Sequence, residues 1–363
     1  MYRKLIAASL AGSLAFLPAA EACTGIQLTA RDGGVVAART LEFGIDLKSE
    51  VVVIPAGTSV TTTLPGGAKG FTYTTKYGTV GANAFGLNVY LDAVNDQGLY
   101  VGLFYFPGSA DYADPTPENA KVGMSPIEYG AWLLANFASV EEVRANYDKV
   151  ALLPVVLPEL GIAPPVHFVV HDRTGKAVVV EPVEKRLKIH DNPLGVLTNS
   201  PTFDWHMTNL SNYANLSAVN VPPLTLQGLK VTSFGQGSGM RGIPGDFTPP
   251  SRFVRAVAYS QAAVPSATAP ESVLQAFHLL NNFDIPVGAV RAKDGDKTVD
   301  EYTLWTAAAD LKTLKWHFRT FEDQSIRSVD VKAALAAAGN QIRRISMTST
   351  QSVENVSTKF VGK

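Results

Sequence analysis

The sequence has one cysteine among its 363 residues, little net charge and, beyond residue 22, no uninterrupted apolar run of 18 residues. The 31 basic and 32 acidic side chains leave a formal charge of -1, so no excess of positive charge is available to attract a nucleic acid backbone. The lack of a long apolar run predicts no membrane span in the mature chain. No linker rich in Pro, Gly or Ser divides the sequence, and residues 23–363 are therefore predicted to form a single domain.

Metal-binding and nucleotide-binding motifs are missing as well. The six histidines show no His-Glu-x-x-His spacing, and His167 and His171 would lie about 13 Å apart on a strand, too far to share a metal ion. The glycine-rich residues 235–239 lack the Lys-Ser or Lys-Thr pair of a phosphate-binding loop and are predicted to form a turn. We therefore predict neither a metal nor a cofactor.

The first 22 residues have the layout of a secretory signal peptide. Two basic residues precede an apolar run at residues 5–17, and Ala20 and Ala22 stand at the spacing of a cleavage site. Cleavage after Ala22 predicts a periplasmic or secreted bacterial protein that begins with Cys23. Exported proteins usually pair their cysteines, so a lone thiol at this place indicates that its reactivity is used.

Two interpretations of Cys23 stay open on these residues. In the first, Cys23 is the lipid-modified first residue of an anchored binding protein. The charged Glu21 fits poorly with the enzyme that cleaves bacterial lipoproteins before such a cysteine. In the second, Cys23 is a nucleophile whose own α-amine accepts the proton of the thiol. An α-amine has an ordinary pKa of about 7.7–8.0, which suits that role near neutral pH.

A cation close to Cys23 would favour its thiolate, because an opposite charge a few ångströms away stabilises the ionised form. Strand-like residues 25–30, a turn at residues 31–34 and a second strand at residues 35–39 predict a hairpin. Such a hairpin brings Arg39 back beside Cys23. On the hairpin alone, a surface charge at the end of a strand explains Arg39 equally well.

The other patterns predict alternating groups of helices and strands. Helices are predicted from Ser125 to about residue 137, from Ser139 onward, over residues 270–283, and after Ser251 as N-cap, with Arg252 near that helix start. Hairpins are predicted for residues 166–170 with 177–180 and for residues 302–308 with 314–321. This arrangement predicts an α+β fold with antiparallel sheets between layers of helices.

Four stretches of the sequence resemble the choloylglycine hydrolase family, which includes bile salt hydrolases and penicillin V acylases. The stretches are CTGIQL at residues 23–28, GVVAARTLEF at 34–43, LTNSPTFDWH at 197–206 and GQGSGMRGIPGDFTPPSRF at 235–253. The likeness runs in order from Cys23 to about Arg255 and continues more weakly to the C-terminus. It implies an N-terminal nucleophile hydrolase, an αββα sandwich that cleaves non-peptide amide bonds.

Carried over position by position, the resemblance implies a set of catalytic residues. They are Cys23 as nucleophile, Arg39 as its charged neighbour, Glu42 at the terminal amine, Asn199 and the backbone N–H of Tyr105 at the oxyanion hole, and Arg252 in the surrounding polar network. Two of these positions depart from the family. Glu42 stands where Asp is common, and Tyr105 stands where bile salt hydrolases commonly have Asn.

The predicted substrate is a small molecule whose amide joins an apolar acyl group to a small polar amine. Side chains predicted to flank the site and to receive the acyl group, unless they are plain core, are Leu41, Phe43, Tyr105 and Phe106. Glycine- or taurine-conjugated bile acids rank first, ahead of penicillin V and N-acyl homoserine lactones. Because the loop around residues 235–239 extends toward a neighbouring subunit in the family, the resemblance also implies a homotetramer.

Overall fold

The computed structural model describes residues 22–295 and 297–360. The predicted signal peptide lies, apart from Ala22, outside the described residues. The strands are β1 (Cys23–Thr29), β2 (Val35–Phe43), β3 (Glu50–Ile54), β4 (Ser59–Thr63), β5 (Lys69–Thr74), β6 (Thr79–Ala82), β7 (Asp92–Asn95), β8 (Tyr100–Tyr105), β9 (Gly123–Met124), β10 (Ala151–Leu152), β11 (Val166–His171), β12 (Ala177–Val183), β13 (Arg186–Asp191), β14 (Leu224–Leu226), β15 (Leu229–Val231), β16 (Val290–Asp294), β17 (Lys297–Asp310), β18 (Lys315–Thr320), β19 (Arg327–Asp330) and β20 (Arg343–Ser346).

Helices are fewer than strands in the described residues. The α-helices are α1 (Pro117–Lys121), α2 (Tyr129–Asn136), α3 (Val140–Arg144), α4 (Phe203–Asn209), α5 (Pro249–Ala262), α6 (Ala269–Leu280) and α7 (Val331–Ala338). Short 3-10 turns occur at Pro65–Gly67, Pro126–Glu128, Leu210–Tyr213, Ser238–Met240, Asn281–Phe283 and Val356–Phe360.

Two antiparallel sheets form the centre of the molecule. The first sheet has the strand order β1-β2-β17-β18-β19, with β16 paired to β17, and the second has the order β13-β12-β11-β8-β7-β6-β3-β20. Helices α5 and α6 pack on the first sheet, while α2 and α7 pack on the second. Strand β2 is buried at every residue but its last, since a sheet covers one of its faces and helices cover the other. The predicted α+β arrangement of two sheets between helix layers is confirmed.

The hairpin of β1 and β2 forms as predicted. The side chain of Asp32 accepts a hydrogen bond from the N–H of Gly34 at 2.9 Å, and Gly33 adopts a φ of +77°, which closes the turn. The strands pair with Cys23 opposite Leu41. This register determines which residues of β2 lie beside Cys23 and the residues that follow it on β1.

The helix predictions are correct in place and differ at some ends. Ser125 and Glu128 form the predicted capping box, but the first turn is 3-10 and α2 follows it. The prediction that Ser251 is the N-cap of the helix that carries Arg252 is wrong, because Thr248 holds that position and this helix, α5, begins at Pro249. Proline fits the first turn of a helix since it has no N–H to satisfy. The hydroxyl of Ser251 instead donates to Oδ2 of Asp246 at 2.7 Å.

Candidate active site

Cys23 begins β1 and faces a cavity lined by residues of both sheets. Its side chain is 4% exposed. Two residues further along, Gly25 pairs with Arg39 on β2 and exchanges two backbone hydrogen bonds with Leu197, at 2.8 and 3.2 Å. This bridge places the segment that follows Leu197 directly beside the cysteine.

Gly25 is required by the packing between the sheets. A Cβ atom at this position would lie 2.7 Å from the ring of Phe104, which is closer than two carbon atoms can approach. That ring in turn lies under the guanidinium of Arg39, with 4.3 Å between Cζ and the ring centroid. The glycine therefore allows the aromatic support of Arg39 to sit next to Cys23.

Arg39 is fully buried and is held mainly by main-chain oxygens. Its Nη1 donates to the carbonyl of Leu91 at 3.0 Å and also to that of Leu103, while its Nε donates to the carbonyl of Thr40 at 3.1 Å. Its Nη2 has no hydrogen-bond partner among the described residues and Arg39 lines the same cavity as Cys23. The hairpin thus brings Arg39 and Cys23 to one cavity, and the role of Arg39 at the thiol stays a prediction.

Asn199 and Arg252 meet at the backbone of Cys23. The Asn199 Oδ1 accepts hydrogen bonds from the N–H of Cys23 at 2.8 Å and from Nη2 of Arg252 at 2.6 Å. The Asn199 Nδ2 donates to the carbonyl of Tyr105 at 2.8 Å. Arg252 also donates through Nη1 to the carbonyl of Cys23 and to Oγ1 of Thr24, the latter at 3.0 Å. Four predicted residues are therefore joined in one buried network.

Burial changes the acid–base properties of this network. It lowers the pKa of Arg252 to about 10, against the opposing attraction of Glu42 and Cys23, so the guanidinium stays charged at neutral pH. Burial also raises the pKa of Glu42 to about 7, although Arg252 and a hydrogen bond from Thr303 act in the other direction. A carboxyl with that pKa can gain or lose a proton under working conditions.

Glu42 lies beside the link between Ala22 and Cys23. Its N–H donates to the carbonyl of Ala22 at 3.1 Å, whereas its Oε1 accepts from Oγ1 of Thr303 at 2.7 Å. Its Oε2 has no partner among the described residues. With Ala22 attached, the N–H of Cys23 bonds to Asn199 and not to Glu42, so the predicted contact between Glu42 and a free terminal amine stays a prediction.

The cavity at Cys23 is narrow and apolar. Its volume is about 50 Å³, and side chains from β2, β8 and the loop after β10 line it. Leu41, Phe43 and Tyr105 belong to this lining, and the rings of Phe43 and Tyr105 meet edge to face at 6.1 Å. Phe106 does not line the cavity, because it is fully buried and stacks on His167 with 4.1 Å between the ring centroids.

Three residues near the network were not predicted. Thr24 and Thr303 hold Arg252 and Glu42 through their hydroxyl groups. Glu301, fully buried two residues before Thr303, has no hydrogen-bond partner for either carboxylate oxygen within the described chain, and burial raises its pKa to about 7. Thr24 follows Cys23 directly in the sequence, and that adjacency could have identified it. Thr303 and Glu301 lie far from Cys23 in the sequence, and no local sequence pattern identifies them as site residues.

The described part of the chain contains no cluster of three or more His, Cys, Asp or Glu side chains arranged to hold a metal ion. Within residues 22–295 and 297–360, no helix is both long and apolar enough to cross a membrane.

The two sheets between helix layers form the fold of the N-terminal nucleophile hydrolases, and the comparisons with known proteins agree. Residues 23–340 match the family of linear amide C–N hydrolases, choloylglycine hydrolase family. A bile salt hydrolase/transferase of Clostridium perfringens is 30% identical over 336 residues, which cover 92% of this chain and 99% of that protein. A penicillin V acylase of Pectobacterium atrosepticum is 25% identical over 87% of this chain and 82% of its own.

A solved structure shows the same likeness in three dimensions. A variant of the conjugated bile acid hydrolase from Clostridium perfringens superposes with a TM-score of 0.81 at 30% identity, over 92% of this chain and all of that one. The protein belongs to the choloylglycine hydrolase family and is a hydrolase of linear amides. The predicted family, fold and enzyme class are confirmed.

Proposed function

We propose that this protein is exported, loses residues 1–22, and hydrolyses amides of apolar acyl groups with Cys23 as the nucleophile. The observation that carries the proposal is the position of the only thiol. Cys23 faces an apolar cavity together with Arg39, and its backbone nitrogen is held by Asn199. Removal of Ala22 converts that nitrogen into an α-amine next to its own thiol.

In the first step, the α-amine of Cys23 takes the proton of the thiol and the sulfur attacks the amide carbon. A new S–C bond forms while the carbonyl π electrons move to oxygen. The α-ammonium then gives its proton to the amide nitrogen, the C–N bond breaks, and the amine leaves. A hydrogen bond from the α-amine to Asn199 Oδ1 would leave the nitrogen lone pair free to accept the proton.

In the second step, water hydrolyses the thioester with the α-amine again acting as base. Negative charge develops on the carbonyl oxygen in both steps, and donors aimed at that oxygen stabilise it. Asn199 donates one amide hydrogen to the carbonyl of Tyr105, and its second amide hydrogen is the one proposed to stabilise the oxyanion. The backbone N–H of Tyr105 is the other proposed donor, and the charge of Arg39 supports the thiolate.

Conjugated bile acids are the first candidate substrates. The bile salt hydrolase/transferase from Clostridium perfringens shares 30% of its residues with this chain over nearly its whole length. A conjugated bile acid contains the required amide between a large apolar acyl group and glycine or taurine. The departures at Glu42 and Tyr105 do not remove any of the proposed catalytic groups.

The shape of the cavity favours a second candidate, N-acyl homoserine lactones, and with them penicillin V. The cavity is small, at about 50 Å³, and its lining beyond Cys23, Arg39 and Tyr105 is hydrocarbon. An unbranched acyl chain or a single phenoxy ring requires less opening of this cavity than a hydroxylated steroid does. The penicillin V acylase relative and Tyr105 point the same way.

The exposed hairpin, defined here as residues 219–234, supports a homotetramer. Strands β14 and β15 lie within it, and all its large apolar side chains from Val219 to Phe234 are exposed, Phe234 at 98%. Contiguous exposed apolar surface of this kind is typical of an interface. We propose that the exposed hairpin packs against a neighbouring subunit.

A panel of substrates tests the proposal directly. The purified protein is incubated with taurocholate, penicillin V and an N-acyl homoserine lactone at equal concentration, and rates are compared. Intact mass in parallel establishes whether the chain begins at Cys23. A mass that includes a diacylglycerol on Cys23 would favour the anchored binding protein, for which the 4% exposure of that side chain gives little room. Failure to hydrolyse any amide by a chain with free Cys23 would refute the proposal.

A further inference from the structure

A buried polar pair contacts the segment that carries Asn199, at Thr198 and at Phe203. His167 on β11 and Glu181 on β12 are both fully buried and are not used by the proposed reaction. We propose that His167 and Glu181 are positioning residues, which fix the backbone at Asn199 so that its side chain meets the nitrogen of Cys23. This inference rests on the proposed role of Cys23 and Asn199.

The contacts of His167 determine its hydrogens. Its Nδ1 lies 3.1 Å from Oε1 of Glu181, and its Nε2 lies 3.0 Å from the carbonyl oxygen of Thr198. The carbonyl oxygen of Thr198 can only accept, so Nε2 of His167 carries a hydrogen and donates it to Thr198. The Nδ1 contact then joins the same ring to the buried carboxyl group of Glu181. His167 thereby fixes the residue immediately before Asn199.

Glu181 fixes the other end of the same segment. Its Oε1 also accepts the N–H of Phe203 at 3.0 Å, at the first residue of α4. Its Oε2 lies 3.5 Å from Nε2 of the partly exposed His190. Although burial alone would raise the pKa of Glu181, its interactions with His167 and His190 lower it to about 2. The loop from Thr198 to Phe203 is therefore tied at both ends to one ionised carboxylate.

One ring stack connects His167 to the site, and a second ring stack lies beside Asn199. Phe106, which follows Tyr105, stacks on His167 at 4.1 Å. His206 donates through Nε2 to the carbonyl of Asn199 at 2.9 Å and stacks at 4.7 Å on Phe253, the neighbour of Arg252. Asn199 is thus enclosed by residues adjacent to its own side-chain partners.

This enclosure matters for turnover because the Asn199 amide has little freedom to search for its partners. Its oxygen must reach the nitrogen of Cys23 while its nitrogen reaches the carbonyl of Tyr105. A displacement of about 1 Å at such a group costs on the order of 100-fold in rate. The inference thus predicts that loss of the His167–Glu181 pair lowers kcat more than it raises KM.

The test compares two histidines on the same strand. His167→Gln removes the ring that bridges Thr198 and Glu181, and Glu181→Gln keeps an acceptor for Phe203 but removes the charge. His171→Gln is the matched control, because His171 is 1% exposed on β11 and bonds to Gln27 instead, at 2.7 Å. Each variant is purified, its folded fraction is measured by thermal denaturation, and its reactive thiol is counted with a disulfide reagent, which reads only Cys23.

We expect His167→Gln to lower kcat per reactive thiol about 10- to 100-fold with KM changed less than about 3-fold. Glu181→Gln should give a smaller loss of the same kind, and His171→Gln should stay within about 2-fold of the parent. The rate of alkylation of Cys23 by iodoacetamide should change in the first two variants only, since the hold on its α-amine is altered.

Equal kcat per reactive thiol in the parent, His167→Gln and Glu181→Gln would overturn the inference, as would an equal loss in His171→Gln. If His167→Gln does not fold, the kcat and the alkylation rate of Glu181→Gln decide whether the pair positions Asn199.

Alkylation requires no substrate. A parent protein that hydrolyses none of the three amides would therefore defeat the proposed function, while the alkylation rates would still test the positioning of Asn199.

Discussion

The active site and the exposed hairpin invert the usual distribution of polar and apolar side chains. In the site, the charged Arg39 and Arg252 are no more than 1% exposed, whereas in the hairpin Leu229 is 68% and Phe234 98% exposed. A buried charge and an exposed apolar patch are each costly unless something else compensates. In the site, backbone carbonyls and Asn199 supply that compensation within the chain. In the hairpin, the described residues supply none.

The two regions should therefore respond to substitution in separate ways. A change in the site should alter turnover and leave the assembly intact. A change in the exposed hairpin should alter the assembly and leave turnover intact. A variant that changes both turnover and assembly would weaken this comparison.

The largest expected effect is that of Cys23→Ser. Serine keeps the α-amine, but its hydroxyl is far less acidic than a thiol, so we expect kcat to fall by about 1000-fold or more with the fold unchanged. Initial rates on the preferred substrate and the thermal midpoint give the two readouts. Full activity in this variant would contradict the proposed nucleophile.

Asn199→Ala should follow, with a loss of about 100- to 1000-fold in kcat. The variant removes a donor proposed for the oxyanion and also the acceptor for the nitrogen of Cys23 and Nη2 of Arg252. Asn192→Ala is a suitable control, because Asn192 is also buried but its side chain bonds only to the backbone of Val196. A loss of less than about 10-fold in Asn199→Ala would remove Asn199 from the mechanism.

Local patterns in the sequence predicted what is local in the structure. The β1–β2 hairpin follows from its turn residues, and the capping box at Ser125 follows from a three-residue spacing. The start of α5 was misplaced by three residues, because two successive prolines at residues 249 and 250 decide the helix start more strongly than a serine does.

Contacts between distant parts of the chain were beyond local patterns. Arg252 reaches the carbonyl of Cys23 across 229 residues, and Thr303 reaches Glu42 across 261. The family resemblance supplied Arg252 but not Thr303 or the pair His167 and Glu181. Phe106 was expected to flank the site together with Tyr105. Side chains alternate between the two faces along a strand, and Phe106, directly after the end of β8, stacks on His167 while Tyr105 lines the cavity.

Glu42→Gln should have a smaller effect on turnover, about 10-fold in kcat with little change in KM, since it mis-sets the α-amine without removing it. An unchanged kcat would exclude Glu42 from the site. Glu141→Gln, an exposed carboxylate paired with Lys176, is the control.

Glu42 also predicts a pH dependence of stability in protein that retains Ala22. Its pKa is about 7 in the folded state against 4.5 as the ordinary value, so between these values the folded state holds more protons than the unfolded state. The contribution of Glu42 to the free energy of unfolding is therefore fully present below about pH 4.5 and is lost as the pH rises through about 7. Urea denaturation at pH 5 and pH 8 should show this loss, and Glu42→Gln should reduce it.

The smallest expected effect on turnover is that of the double variant Leu229→Asp and Phe234→Asp. Both side chains are exposed and contribute little to the folding of one subunit, so kcat should stay within about 2-fold and stability within about 0.5 kcal/mol. The molar mass in solution should fall below that of a tetramer, because two charges now face the proposed neighbour. Val353→Asp, at an exposed apolar residue outside the hairpin, should leave the mass unchanged. A double variant with the mass of the parent would show that the exposed hairpin does not hold the subunits together, and its apolar surface would then require another partner.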